Sequence, residues 1–170
     1  IGCRTGLRFG DLHKVGEDAI SGSNGTRMIK IRTEKTGQMV AIPLHWQVEA
    51  LLTKYNGKLP KPPSNQKFND YLKEVGESAK IDDPIIITRK IKGLDVSKRL
   101  KKYELISSHT ARRTFATLGY LAGIPVPSLM MITGHRTTKA FFSYLKISAE
   151  ESAALIANNP FFLPPLKVAK

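Results

Sequence analysis

The sequence predicts a mainly helical α+β domain with a small antiparallel β-sheet near its N-terminus. Three observations carry that expectation. Arg27–Thr33 and Gln38–Leu44 alternate apolar and polar residues with the period of a half-buried strand. Most later segments space their apolar residues three and four apart, as one face of a helix requires. Apolar residues make up 41% and charged residues 24% of 170 positions, the composition and length of one ordinary folded domain.

In chain order, Gly2–Leu12 reads as a loop or strand end entering a short helix over Leu7–His13. Met28 to Arg32 alternate, Val40, Ile42 and Leu44 lie on one side of the next strand, and Glu34-Lys35-Thr36-Gly37 joins the two as a hairpin. Val48, Leu51, Leu52 and Tyr55 mark a helix over His45–Tyr55, and Lys58–Ser64, with three prolines, is a linker. Ser64 caps a helix reaching about Ala79, with Phe68, Tyr71, Leu72 and Val75 as its apolar stripe. Pro84–Thr88 is β-prone, and Lys92-Gly93 can turn it back into a second small sheet.

From Ser107 the pattern is helical. Ser107–Ala122 places Ala111, Phe115, Leu118 and Ala122 on one face, expected to be the buried one. Val126–Ile132 is a shorter helix opened by Pro125 and Pro127 and stopped at Gly134. Thr137–Lys146 is another, and Ser148-Ala149-Glu150-Glu151 is a capping box opening a last helix that ends near Asn159-Pro160. Residues 1–159 therefore form the domain. Residues 160–170 are a tail whose apolar, proline-rich part, Phe161–Leu166, is expected to dock on something.

The charge balance narrows the function. Twenty-seven Lys and Arg against 14 Asp and Glu give a net +13, which points to a polyanion, nucleic acid before others; a basic but inert surface is the alternative. Nine basic and two acidic residues fall between Ile86 and Arg113. Of these, Arg89, Lys90, Lys98, Arg99, Lys101, Lys102 and Arg113 are candidate DNA-backbone contacts, against the alternative of a solvated face. Cys3 has no second cysteine to pair with, which excludes an internal disulfide and fits a reducing compartment. No apolar run approaches a membrane span, so no membrane partner is expected. Ligand spacing for a metal, a paired-carboxylate cluster and a Gly-rich phosphate loop are all missing, so neither metal nor cofactor is expected. The chain opens at Ile1, already within a patterned segment, and a further N-terminal domain is expected beyond it.

Several chemistry-bearing residues form an ordered set. Thr5-Gly6-Leu7-Arg8 precedes Gly10-Asp11-Leu12, and Lys35 sits in the hairpin turn before Ile42-Pro43-Leu44. His109 and Arg112 are three residues apart on a helix, about 60° around its axis, so both can reach one phosphate. Gly134-His135 follows, and Tyr144 lies nine residues later. Read singly, Tyr144 is equally a core aromatic beside Phe141 and Phe142, and His13 and His45 are surface residues. Ser107 and Ser108 are helix caps, since no base–acid pair accompanies them.

Taken together, the set resembles the catalytic domain of the tyrosine recombinases, the phage integrase family. The similarity runs from about Thr5 to Tyr144, and the hairpin wording is most similar to integrases of bacterial mobile elements. The resemblance implies that family's catalytic-domain fold and a site-specific recombinase or integrase acting on double-stranded DNA without cofactor. Tyr144 would be the nucleophile of a 3′-phosphotyrosyl intermediate, Arg8 and Arg112 bidentate phosphate ligands, and Lys35 the proton donor to the leaving oxygen. His109 would accept the tyrosine proton or bond the phosphate, and His135 would hold a phosphate oxygen. It also implies an N-terminal core-binding domain completing a clamp, a tetramer on two DNA sites, a tail that packs in cis or on a neighbour, and action in the bacterial cytoplasm at the nucleoid. A type IB topoisomerase-like nicking-closing enzyme and a DNA-binding relative without catalysis are the alternatives.

Overall fold

The computed structural model describes residues 1–162 apart from Asn24, Lys146, Asn158 and Asn159. The tail beyond Phe162 and the expected helix end at Asn159 lie outside the described residues.

The N-terminal stretch forms two short helices, α1 (Gly2–Thr5) and α2 (Phe9–Leu12), instead of one over Leu7–His13. Gly6 separates them in the left-handed region at φ 64°. A Cβ there would lie 2.4 Å from the Phe115 ring, so both backbone angle and space require glycine. A three-stranded antiparallel sheet follows, β1 (Ile20–Ser23), β2 (Thr26–Arg32) and β3 (Met39–Pro43), in that order. The β2–β3 hairpin matches the alternation: Ile29 pairs with Ile42 and Ile31 with Val40, all buried, while Lys30 and Arg32 face outward. These four pack with Leu7, Val15, Val48 and Leu52 into the first apolar cluster. β1 is a strand the patterning missed, because Ser21-Gly22-Ser23 reads as loop.

The helix α3 (Trp46–Lys54) is capped by His45, whose Nδ1 accepts the Gln47 N–H, and buries Val48 and Leu52 as expected. The helix α4 (Asn65–Ser78) is capped by Ser64. Its expected stripe is only partly covered: Phe68 and Leu72 are half-buried, while Tyr71 and Val75 are exposed. The buried position is Gly76, where a Cβ would lie 2.6 Å from Ile106 and 2.9 Å from Tyr103. That helix therefore packs through a missing side chain, which an apolar stripe does not register.

The second sheet exists and is longer than Pro84–Thr88. Strands β4 (Pro84–Ile91) and β5 (Leu94–Lys101) pair along their full length. Lys92 and Gly93, at φ 50° and 84°, form the two-residue turn whose twist suits a hairpin. Most of this arm is exposed.

Four helices complete the fold: α5 (Ser108–Leu121), α6 (Val126–Thr133), α7 (Thr138–Tyr144) and α8 (Ala149–Ile156). The capping box at Ser148 and Glu151 opens α8 as read from the sequence. Ala116, Leu129, Phe141 and Leu145 form the second apolar cluster. The buried line of α5 is Arg112, Ala116 and Gly119, one step around the helix from the expected Ala111, Phe115, Leu118 and Ala122. Ala111 and Phe115 are half-buried and face α1, at Gly2 and Gly6, while Leu118 and Ala122 are exposed. Gly119 lets Leu129 approach so closely that a Cβ would lie 2.7 Å from Leu129 Cδ2. The architecture is the mainly helical α+β domain with a small N-terminal sheet that the sequence predicts. No helix among the described residues is long and apolar enough to cross a membrane.

Candidate active site

The site forms where the two apolar clusters meet. The buried line of α5 carries Arg112 inward, and the guanidinium, in a residue only 4% exposed, donates from Nη1 to the Gly6 carbonyl and from Nη2 to the Thr133 carbonyl. It forms no ion pair with a carboxylate among the described residues. Burial, and then the charge of Arg8, pull its pKa from the usual arginine range down to about 10. A cation held by carbonyls beside a neutral phenol, with no carboxylate paired to it, retains its full charge for an incoming anion.

The Gly134-His135 pair has a local cause. Gly134 closes α6 at φ 61°, a left-handed cap that turns the chain back and delivers His135 to the site. A Cβ at Gly134 would lie 3.7 Å from Arg8 Nη2, so the Arg8 side chain crosses this turn. The His135 ring packs edge-on against Phe141 at 5.5 Å and tilted against Tyr144 at 4.9 Å, and its Nδ1 lies 2.8 Å from Thr133 Oγ1. Burial, then Arg112 and Arg8, lower the His135 pKa and hold the ring neutral near pH 7.

Tyr144 is the last residue of α7, half-buried behind His135. Its hydroxyl is buried beside the Arg112 guanidinium, and no described residue accepts its proton. Burial pushes the phenol pKa up, opposed by the nearby charges of Arg112, Arg113 and Arg8. Arg113 lies over the Tyr144 ring, 5.9 Å from its centre. The sequence treats Arg113 as a backbone contact; the structure places it at the nucleophile candidate.

Arg8, Arg112, His135 and Tyr144 are thus brought together, while Lys35 and His109 flank them. Lys35 occupies the exposed β2–β3 turn, and His109 is exposed in the first turn of α5, one turn before Arg112; neither side chain bonds to a described residue. Each flank has an anchor. Asp11, buried, accepts the Glu34 N–H at 2.9 Å through Oδ1 and pairs with Lys14 at 3.2 Å, tying the Lys35 turn to the helix that follows Arg8. Asn69 Oδ1 accepts the Ser108 N–H at 2.8 Å beside His109, and the preceding Phe68 packs on Phe9, beside Arg8, at 5.1 Å. Sequence reasoning missed Asp11 and Asn69. Asp11 stands in the quoted Gly10-Asp11-Leu12 and could have been found there as a carboxylate embedded in an apolar helix; nothing local marks Asn69.

The backbone-contact set is divided by strand alternation. Lys90, Arg99 and Lys101 project from one face of the β4–β5 arm, and Arg89 and Lys98 from the other. Lys102 pairs with Asp83 at 2.8 Å at the base of the arm. A cleft of about 1790 Å³ opens between β3 and α6 and reaches Gly134 and His135; Met39, Trp46 and Met131 give it a largely apolar wall.

No protein-family model and no curated protein matches the chain. Solved structures do. The XerA recombinase aligns with a TM-score of 0.64 at 16% identity, covering 93% of this chain and 55% of that one. The XerH site-specific recombinase, in a post-cleavage complex with its palindromic difH substrate, aligns with a TM-score of 0.63 at 16% identity, covering 92% and 43%. The Tn1549 transposon integrase in complex with circular intermediate DNA aligns with a TM-score of 0.54 at 18% identity, covering 91% and 54%. The chain spans about half the length of these proteins. At such identities the likeness establishes the fold: this is the catalytic-domain fold of the tyrosine recombinases.

Proposed function

We propose that this domain cleaves and rejoins double-stranded DNA by transesterification through Tyr144, as the catalytic half of a site-specific recombinase or integrase of a mobile element. The observation that carries the reading is the pocket itself. A buried arginine without a carboxylate partner, a second arginine beside it and a buried tyrosine hydroxyl converge on one place, and that place suits a phosphodiester.

Tyr144 Oη attacks phosphorus, forming a 3′-phosphotyrosyl bond as the bond to the 5′ oxygen breaks. Arg8 and Arg112 hold the non-bridging oxygens, and their charges offset the negative charge gathered in the transition state. Lys35 reaches down from its turn and gives a proton to the departing 5′ oxygen. Burial keeps Tyr144 protonated at rest, so its proton must pass to a base as the attack proceeds; His109 and His135 are the two imidazoles at hand. Attack by a 5′ hydroxyl on the phosphotyrosine reverses each step without consuming an energy source. The β4–β5 arm carries the flanking backbone. A tetramer on two DNA sites, an N-terminal domain closing over the duplex and action in the bacterial cytoplasm belong to the same reading; the DNA complexes of the XerH and Tn1549 proteins support its choice of DNA as partner.

A duplex with a nick close to the scissile phosphate tests it, since the short 5′ fragment diffuses away and traps the intermediate. Wild-type protein forms a covalent adduct and Tyr144→Phe forms none. Equal adduct in both, or none with wild type on any site tested, overturns the proposal. Relaxation of supercoiled DNA without site preference would favour the topoisomerase alternative.

A further inference from the structure

Thr133 touches both halves of the site, its carbonyl receiving Arg112 and its side chain meeting His135. The side-chain contacts determine where a proton sits. Thr133 Oγ1 is 2.6 Å from the Leu129 carbonyl, which can only accept, so the single hydroxyl proton is donated there. The same oxygen is 2.8 Å from His135 Nδ1 and has only lone pairs left to offer. The hydrogen in that contact must therefore come from the ring, which makes neutral His135 the Nδ1–H tautomer with an unprotonated Nε2.

We propose that Thr133 is a positioning residue that fixes this tautomer, and that His135 Nε2 thereby becomes the proton acceptor for Tyr144. The inference rests on the phosphotyrosyl reading above and departs from a plain phosphate-binding role for His135: a neutral ring in this tautomer has no hydrogen at Nε2 to give a phosphate oxygen. The buried Tyr144 hydroxyl lies beside the Arg112 guanidinium, which can only donate to it, so its own proton has no acceptor among the described residues; the His135 ring lies 4.9 Å away, centre to centre. Burial, then Arg112 from α5 and Arg8 from the turn before α2, keep the ring neutral, so its Nε2 lone pair is open; the same two charges disfavour the imidazolium until the phosphate's negative charge lies between them. As Tyr144 Oη bonds to phosphorus, its proton moves to Nε2. The resulting imidazolium keeps its Nδ1–H on Thr133, while Lys35 protonates the 5′ oxygen whose bond to phosphorus breaks. His109, exposed at the start of α5, is left to bond the phosphate.

Two measurements decide it. Long-range ¹H–¹⁵N correlation spectra of the free wild-type protein above the His135 pKa show a pyrrole-type Nδ1 and a pyridine-type Nε2 for His135. The opposite pattern overturns the inference, whether or not the protein cleaves DNA. The second uses a nicked duplex whose 5′ bridging oxygen is sulfur, a leaving group that needs no proton, so the rate reports activation of the nucleophile. Thr133→Val slows single-turnover adduct formation on it by about tenfold or more, the scale of a misplaced base, and Thr133→Ser stays within about threefold of wild type. Equal rates for Thr133→Val and wild type overturn the assignment. If Thr133→Val does not fold, the wild-type spectrum and the Thr133→Ser rate still decide it. A wild-type protein that forms no adduct removes the phosphotyrosyl reading and His135's role as acceptor, and leaves the tautomer to the spectrum.

Discussion

Removing the Asp11 carboxylate should damage the protein in two separable ways. Its side chain is buried at the end of α2, where it accepts the Glu34 backbone N–H at 2.9 Å and pairs with the half-buried Lys14 at 3.2 Å. A hydrogen bond to a charged acceptor contributes about 1.5–3 kcal/mol, and the partly exposed ion pair adds roughly 0.5–1 kcal/mol. Asp11→Ala is therefore expected to cost about 2–4 kcal/mol, or roughly 5–15 °C in melting temperature for a domain of this size. Asp11→Asn keeps an oxygen for the Glu34 N–H and loses only the charge, so it should cost about half as much. The second effect is on Lys35, the next residue in the tethered turn. Loosening that turn misplaces the proton donor, so single-turnover cleavage of an ordinary phosphodiester should fall about tenfold or more. Cleavage of the 5′-sulfur substrate, which needs no acid, should change little. Differential scanning calorimetry and the paired rates check this. A variant melting within about 1 °C of wild type, or slowed equally on both substrates, refutes the anchoring role.

Other expectations follow from the same geometry. Gly134→Ala forces a Cβ into a left-handed backbone without striking Arg8, and should cost about 1–2 kcal/mol in urea unfolding. Gly119→Ala places a methyl group 2.7 Å from Leu129 Cδ2 and should cost about 1–3 kcal/mol by overpacking. His135 has a lower pKa folded than unfolded, so the unfolded chain binds its proton first; stability should fall as pH drops through about 6.5. His45 shifts the same way, so the check is a flatter pH dependence of the melting temperature in His135→Gln than in wild type. On the β4–β5 arm, neutralising Lys90, Arg99 and Lys101 should reduce the slope of log affinity for DNA against log salt by about 0.9 per lost phosphate contact. Neutralising Arg89 and Lys98 on the opposite face separates the two sides: unequal losses identify the face that meets the backbone, and equal losses mean that the arm is gripped on both.

The sheet hairpin, most helices and their caps were legible because each is written locally. Ile29, Ile31, Val40 and Ile42 announce a half-buried pair of strands, and Ser64, Ser148 and Gly134 announce helix ends. Packing through absence was not legible. Gly76 and Gly119 are buried because a neighbour occupies the space of a side chain they lack, so the apolar stripes assigned to α4 and α5 fell on partly exposed faces. The error on α5 has functional weight: a hydrophobic reading of that helix places an arginine outside, yet Arg112 lies on its buried line. The order of Arg8, Lys35, His109, Arg112, His135 and Tyr144 could be read directly. What holds them was harder to read: Asp11 and Asn69 act on Glu34 and Ser108 across long separations, and Thr133, only two residues before His135, carries no local mark of the contact it makes.

The manner in which Arg112 is buried connects stability to chemistry. A buried guanidinium is ordinarily matched by a carboxylate, because an unpaired charge in a low-dielectric interior costs several kcal/mol. Here two backbone carbonyls take the guanidinium, the Tyr144 hydroxyl beside it is neutral, and the nearby charge of Arg8 has the same sign. Carbonyls orient the guanidinium and satisfy part of its hydrogen bonding without neutralising it. A carboxylate in their place would stabilise the free protein and then compete with every phosphate that arrived. The lowered Arg112 pKa is the sign of that arrangement: the site disfavours its own positive charge, and an anion placed between Arg8 and Arg112 reverses the cost. The rigid surroundings, with Phe141 and Leu129 fully buried nearby and Gly6 pressed against Phe115, keep the arginine from relaxing towards solvent. It follows that a tetrahedral oxyanion such as phosphate or vanadate should raise the melting temperature of wild-type protein in proportion to the logarithm of its concentration above Kd. Arg112→Met should abolish that response while losing less stability than Arg112→Ala, because methionine fills the same space and carries no charge to desolvate. A Met variant that still responds to the anion would show that Arg112 is not where the phosphate charge is met.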